Sequence, residues 1–186
     1  MQAFLFKIHP VNPAILAAYC AHWQPYQVPK RTIITAPNET QRYWYFVQKG
    51  IQKAYYLTDG KPYIMAFTYP PSFTGIPESF FTQQPSKYYL ETITDSQFLR
   101  ISYEQHQQLM QEHREIETLF RKATEYLLVG LLERYYELMA LDIESRFKSF
   151  VARSPHLLTM VAQKDLAAYL RINPTNFSKL MNSVRI

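Results

Sequence analysis

Hydrophobic and polar positions recur along this chain with two different periods, and the period changes twice. A short apolar piece at residues 4–6 comes first. Residues 13–23 follow, opened by Pro13, with Ile15, Leu16, Tyr19 and His22 recurring at helical spacing. Over residues 24–102 the pattern shortens to strands punctuated by turn signals at a spacing of about ten residues. The candidate strands are 27–29, 32–35, 42–48 (RYWYFVQ), 51–57, 63–68, 88–94 and 97–101. Lys49-Gly50 marks a turn into the fourth, and Asp59-Gly60 is a hairpin signal that needs positive φ at both central positions. Residues 69–79 (YPPSFTGIPES) read as a loop rich in Pro and Ser. About eight short strands without a long helix describe a small sandwich or barrel. At Ser102 the helical period returns, with a helix over 104–110 and a longer one over 114–141. Phe120, Leu127, Leu131 and Leu138 line one side of the longer helix, and Leu128, Leu132, Tyr135 and Met139 widen that side beyond a single seam. Such a helix lies on the barrel, pairs with its copy in a dimer, or does both. Gly130 costs it about 1 kcal/mol relative to alanine, which a close helix crossing would offset. A further helix is expected over 142–153.

The last stretch, AQKDLAAYLRINPTNFSKLMN (residues 162–182), reads as two short helices around a tight turn. Gln163 opens the first, and Leu166, Ala167 and Leu170 share its inner face. The turn at residues 171–173 breaks the pattern, with Ile172 as its apolar plug. Asn173 suits the N-cap and Pro174 the first helical position. Phe177 and Leu180 return the second helix to the core. This is the pattern of a helix-turn-helix, whose second helix enters the DNA major groove; an ordinary αα-hairpin packed on the protein satisfies the same spacing. The turn position usually held by glycine is Arg171.

Charge changes the balance between those readings. The net charge is only +5, but residues 146–186 hold seven basic side chains (Arg146, Lys148, Arg153, Lys164, Arg171, Lys179 and Arg185) against the single acid Asp165. The other 145 residues hold 13 basic and 14 acidic side chains. Positive charge concentrated on the helix pair is what attraction to phosphates requires, and it favours DNA binding. Aromatic residues make up 16% of the chain, which fits half-buried β-structure. The single cysteine, Cys20, sits in an apolar helical stretch, where a buried thiol is expected; it excludes an internal disulfide and a cysteine-rich metal site. No apolar run reaches membrane-span length and no signal peptide opens the chain, so a cytoplasmic location is expected.

The five histidines form no H-x-H pair of the kind a metal-dependent barrel enzyme uses. His22 is expected to pack within its helix, and His106 and His113 to lie on helical surface. There is no nucleophile elbow, phosphate-binding glycine loop or HExxH motif, so an enzyme is not expected.

The order helix, β-barrel, long helix and helix-turn-helix resembles the Crp/Fnr family of bacterial transcription regulators over nearly the whole chain. VQKGIQKAYYLTDGKPYIMAF resembles the family's central hairpins, with Gly50 and Gly60 at the turn glycines. ESFFTQQPSKYYLETITDSQFLRIS resembles the segment that cradles a cyclic nucleotide phosphate, and QKDLAAYLRINPTNFSKL the DNA-reading unit. The wording ESF and PS is similar to that of regulators common in Bacteroidetes. The resemblance implies an α+β chain in three parts. Residues 1–112 form a double-stranded β-helix (jelly-roll or cupin-like) sensor barrel, 113–141 a connecting helix, and 142–186 the DNA-binding helix-turn-helix. It implies ligand contacts at Gly75, Glu78, Ser79, Ser86 and Lys87, and dimerisation through Phe120, Leu127, Leu131 and Leu138. DNA contacts fall on Gln163, Lys164, Asn173, Pro174, Thr175, Asn176, Ser178 and Lys179. Glu78 matches the family's ribose-binding glutamate and Ser86 the serine that follows its phosphate-binding arginine. The arginine position itself is Pro85, which has neither charge nor backbone donor. Lys87, close by, is a point charge that cannot reproduce a bidentate fork. Regulation by cyclic AMP is therefore not expected; the effector is unassigned and no cofactor is expected. Base-reading positions of the cyclic AMP receptor correspond to Pro174, Thr175 and Lys179, so the operator should differ. The chain ends at Ile186 without the β-hairpin wing of many relatives, so dimerisation should matter more to affinity. The implied partners are double-stranded DNA, a second copy of the chain and RNA polymerase, with no membrane. The alternative is a ligand-binding or protein-interaction module whose helix-turn-helix no longer reads DNA.

Overall fold

A computed structural model describes residues 1–183; Arg185 and the chain end at Ile186, both used above, lie outside the described residues. The elements run in the order α1 (Gln2–Ile8), α2 (Pro13–Ala21), β1 (Gln24–Val28), β2 (Ile33–Thr35), β3 (Tyr43–Lys49), β4 (Gln52–Thr58), β5 (Lys61–Thr68) and β6 (Ser72–Thr74). They continue with α3 (Pro77–Thr82), β7 (Tyr89–Thr92), β8 (Ser96–Ser102), α4 (Tyr103–Glu112), α5 (Arg114–Ala140), α6 (Ile143–Arg153), α7 (Leu157–Met160), α8 (Gln163–Leu170) and α9 (Pro174–Ser183). The fold is mixed α+β, an antiparallel β-sandwich followed, among the described residues, by the long helix α5 and five shorter ones.

The eight strands form two four-stranded sheets, ordered β1-β8-β3-β6 and β2-β7-β4-β5, the arrangement of a jelly roll. Their inner faces bury Val28, Tyr45, Val47, Ile76, Leu90 and Phe98. The alternate residues of β3 and β8, Trp44, Phe46 and Ile101, point the other way. They meet α1, α2, α4 and the first turns of α5 through Leu5, Leu16, Tyr19, Leu109, Ile116, Leu119 and Phe120. The opposite face of the sandwich receives α8, where Tyr169 packs on Phe67 with ring centroids 5.1 Å apart.

Two glycines have distinct reasons. Asp59 (φ 52°) and Gly60 (φ 71°) both adopt positive φ and join β4 to β5 in a two-residue hairpin, with Thr58 paired to Lys61. Gly50, expected to turn one strand into its neighbour, instead carries the chain from one sheet into the other. A Cβ there would lie 2.4 Å from Ser96 Oγ and 2.6 Å from the Asp95 carbonyl.

The structure corrects several expectations. Residues 4–6 belong to helix α1, and the loop over 69–79 contains both β6 and the start of α3. Helix α2 ends at Ala21, so His22 is exposed and its Nδ1 accepts a 2.8 Å hydrogen bond from Gln105 Nε2; Trp23 takes the buried position instead. His106 is not on the surface. It is 1% exposed, hydrogen-bonded at 3.0 Å to Tyr19 Oη and ringed by Phe80 and Phe120. Cys20 is half-buried, and burial pushes its thiol up to about 11.

Candidate functional site

The loop and helix over residues 75–87 form a closed polar network around Gln41, which the sequence pattern did not single out. Gln41 Oε1 accepts from the Ile76 backbone N–H at 2.7 Å and from Thr35 Oγ1 at 3.2 Å, while its Nε2 donates to the Tyr43 carbonyl at 3.1 Å. Its backbone N–H donates to Ser79 Oγ at 3.0 Å, and Ser79 Oγ donates to the Gln84 carbonyl at 2.6 Å. The Gln41 side chain is fitted against Gly75: a Cβ on Gly75 would lie 2.3 Å from Gln41 Nε2 and 2.4 Å from the Trp44 ring. Ser86 is also satisfied locally. Its hydroxyl donates to the Tyr88 carbonyl and accepts from the Tyr88 N–H, each at 2.9 Å. Its backbone pairs with Glu39 and Asn38.

Of the five residues expected to hold a ligand, Ser79 and Ser86 are thus buried and internally bonded, and Gly75 admits the Gln41 side chain. Glu78 and Lys87 are exposed side by side. Desolvation raises the Glu78 carboxyl above its ordinary value, while the Lys87 backbone N–H and ammonium pull it down. Anion binding at a loop needs free N–H groups or a guanidinium. Here the Ile76 donor is occupied, and Pro85 contributes none.

The C-terminal helices present a second set of residues. Helix α8 buries Leu166, Ala167 and Leu170, and Phe177 of α9 packs edge-on against Phe147 of α6, centroids 5.6 Å apart. The turn closes by hydrogen bonds from Arg171 N to the Ala168 carbonyl and from Ile172 N to the Ala167 carbonyl. Arg171 sits at φ 55°, a left-handed cap without glycine, its guanidinium 5.2 Å from the centre of the Tyr63 ring in β5. Asn173 Oδ1 accepts from Thr175 N at 2.8 Å, the expected N-cap, and Pro174 begins α9. Asn173, Pro174, Thr175, Asn176, Ser178 and Lys179 are exposed together on and beside the first turns of α9, and Gln163 and Lys164 are exposed at the start of α8. The one acid of this region, Asp165, is withdrawn from that surface: its carboxylate meets Lys53 Nζ of β4 at 3.1 Å, and Lys53 also reaches Glu91 at 3.6 Å.

Helix α5 ties the two regions and leaves one face bare. Near its end the buried Glu137 accepts from Arg153 at 2.9 and 3.2 Å and from Ser149 Oγ at 2.5 Å. Burial alone would raise its carboxyl, but Arg153, Ser149 and Arg134 outweigh it and hold it below the ordinary value. Arg134 lies 3.8 Å over the Tyr169 ring and donates to the Tyr169 carbonyl, so α5 grips α8 directly. On the opposite side Leu128, Leu131, Leu132, Tyr135 and Met139 are between 52% and 70% exposed. Of the residues assigned above to dimerisation, Leu127 and Leu131 belong to this exposed side. Phe120 is buried against His106 and Tyr19 in the chain's own core, and Leu138 is half-buried, because the helix turns those two positions inward. Around Gly130 an added Cβ would meet nothing within 4 Å among the described residues.

Among the described residues no three His, Cys, Asp or Glu side chains are grouped to hold a metal ion, and no helix is long and apolar enough to cross a membrane.

Comparison with known proteins gives this geometry a context. Residues 26–113 match the family model described as the cyclic nucleotide-binding domain. No curated protein matches the chain at a significant level. Solved structures do. The c-di-GMP responsive global regulator CLP of Xanthomonas campestris aligns over 92% of this chain and 90% of its own, with 19% identity and a TM-score of 0.68. FixK2 from Bradyrhizobium japonicum aligns over 86% of this chain and 83% of its own, with 18% identity and a TM-score of 0.74. A transcriptional regulator of the Crp/Fnr family from Eubacterium rectale aligns over 95% and 86%, with 14% identity and a TM-score of 0.71. At such identities the likeness is one of fold. The sandwich is thus of the cyclic-nucleotide-binding type, and its structural neighbours are transcription regulators.

Proposed function

We propose that this chain is a homodimeric, DNA-binding transcription regulator of the Crp/Fnr type whose barrel does not answer to cyclic AMP. The observation that carries the reading is the exposed, capped N-terminal end of α9, with Asn173, Pro174, Thr175, Asn176, Ser178 and Lys179 on one surface and the neighbouring acid Asp165 locked away on Lys53. A helix presented in this way can enter a major groove, where Lys179 reaches guanine or a phosphate and the amide and hydroxyl side chains bond base edges or backbone. Residues 142–186 then form the DNA-binding helix-turn-helix, 113–141 the dimerisation helix, and 1–112 the sensor barrel. A two-fold dimer about the bare face of α5 would set two such helices in successive major grooves, roughly 34 Å apart. RNA polymerase is the further partner of a regulator of this type. Against cyclic AMP stand Pro85 at the phosphate-binding position and the Gln41 side chain on the Ile76 N–H; micromolar cyclic AMP binding by titration calorimetry would overturn that part.

The test is fluorescence anisotropy of the wild type and Lys179→Ala on the duplex upstream of the chain's own gene and on a random duplex, across a salt series. The expected result is a preference for the upstream duplex that persists at physiological salt, weakened about tenfold in the variant. Equal affinity for both duplexes, with no effect of the substitution, would leave a helix pair that does not read DNA.

A further inference from the structure

The seam between the sandwich and the C-terminal helices forms a half-open cavity of about 360 Å³ that contains none of the residues from 75 to 87. One wall is the β5–β6 connection, from Phe67 to Ser72. The other comes from Phe150, Arg153, Ser154 and Leu157 around the end of α6, with Tyr169 of α8. Its volume lies at the lower end of small-molecule sites, room for a body of one or two fused rings.

The lining divides into flat apolar walls and one polar corner. Phe67, Tyr69, Phe150 and Tyr169 supply aromatic side chains to the lining, held by contacts of Tyr169 with Phe67, Phe150 and the Arg134 guanidinium and of Tyr69 with His156. The polar corner holds Arg153 with the hydroxyls of Tyr69 and Ser154, which share a 2.5 Å hydrogen bond. One proton occupies that bond, so the pair retains a second hydroxyl proton to donate. Arg153 directs Nη1 and Nη2 at Glu137, and the Tyr169 hydroxyl also lies against its guanidinium. The Arg153 side chain is 44% exposed, so one edge of the guanidinium remains open to a second acceptor. A guanidinium edge next to a spare hydroxyl donor is matched to a carboxylate.

From this we propose that the seam cavity is a binding site for a flat, apolar small molecule bearing one carboxylate, its rings against Phe67, Tyr69 and Tyr169 and its acid on Arg153 and Ser154. If the chain is the regulator argued above, such a ligand bridges the sandwich and the helices that carry α9, and it favours whichever placement of the two it fits. The site itself does not depend on that role.

The test uses the full chain without DNA, so its outcome is independent of whether the protein reads DNA. 1-Naphthoate and its neutral counterpart 1-naphthalenemethanol are titrated by calorimetry and saturation-transfer NMR. Naphthoate should bind saturably, one per chain, and Arg153→Met should weaken it at least tenfold while changing naphthalenemethanol by less than twofold. Arg153→Lys, which keeps a cation on Glu137, guards against a folding defect and should weaken naphthoate to an intermediate degree. Ser72→Tyr, which fills the cavity from the β6 side and gives up the Ser72 Oγ bond to the Tyr69 carbonyl, should abolish binding of both compounds while circular dichroism shows the native fold retained. Absence of saturable naphthoate binding overturns the proposal. Binding that ignores Arg153 or survives Ser72→Tyr also overturns it, since the probe would then be lying on the bare face of α5.

Discussion

In the homodimer proposed above, Leu131→Glu should separate the two copies without harming the protomer, and the structure sets the scale. Leu131 is 52% exposed, and Leu128, Leu132, Tyr135 and Met139 beside it are 56–70% exposed, so each leaves about half its surface for a partner to cover. Fully burying a leucine is worth roughly 2 kcal/mol, so covering the remaining half contributes about 1 kcal/mol per copy and about 2 kcal/mol per dimer at this position. The glutamate adds a second cost. Two-fold symmetry brings two carboxylates into one apolar seam, where burying each unpaired polar group costs on the order of 1–3 kcal/mol. The sum is about 4–8 kcal/mol, or roughly a 10³- to 10⁶-fold rise in the dimer dissociation constant. Sedimentation velocity over a concentration series measures that constant directly. Thermal unfolding at a concentration where the wild type is monomeric provides the control, since Leu131 is not among the residues that build the chain's own core. A wild type that stays monomeric at about 100 μM, or a variant with an unchanged dissociation constant, would refute the assignment of this face.

Two further predictions concern the protomer. Burial lowers His106 from 6.5 to about 4, so between those values the unfolded chain binds a proton that the folded chain refuses. Stability is then complete above about pH 6.5 and falls as pH drops toward 4, by up to roughly 3 kcal/mol from this group. Urea titrations at pH 7 and pH 4.5 should show the wild type losing more stability than His106→Gln; equal losses would contradict it. Gly75→Ala should cost about 2–3 kcal/mol, because its Cβ would overlap the Gln41 side chain and the Trp44 ring, and both are held in place. A thermal midpoint within a degree of the wild type would show that Gln41 yields freely.

What could be read from the sequence was local. Alternation marked the longer strands, Asp59-Gly60 marked the hairpin, and Asn173-Pro174 marked the start of α9, because each depends on residues a few positions apart. The three-residue strand β6 and the six-residue helix α3 escaped detection. The first is too short to show alternation, and the second has no side-chain cap and is held by the burial of Ser79 and Phe80. The sheet change at Gly50 is also invisible locally, since a turn signal does not say which strand the next one will pair with. The functional features that were missed share a cause. His106 has the spacing of a surface residue and is buried because Tyr19, 87 positions away, supplies its partner. Asp165 looks like a solvated acid on a DNA-facing helix until Lys53, 112 positions away, is placed beside it. Gln41 stands in a polar run and matters because the chain returns 35 residues later to offer the Ile76 N–H.

These long-range partners bear on the regulatory question more than the short motifs do. In the nucleotide-type loop the Ile76 and Ser86 N–H groups are spent on Gln41 and Glu39, so on the reading proposed above a response to a small molecule would use another opening. The sandwich meets the C-terminal helices through Lys53–Asp165, Tyr63–Arg171, Phe67–Tyr169, Tyr69–His156 and the Tyr69–Ser154 hydrogen bond, and Ile51, Phe67, Tyr69 and Ile93 pack in one apolar cluster with Leu166, Ala167 and Leu170. Helix α5 grips α6 through Glu137, which accepts from Arg153 and Ser149, and reaches α8 through one Arg134 hydrogen bond and its contact with the Tyr169 ring. Charge-assisted bonds to a buried carboxylate are worth more than a partly solvated pair. Helix α8 is thus held to the sandwich by apolar packing and to α5 by a single donor and a ring contact, so a change in the placement of α9 would have to disturb the seam that the cavity occupies.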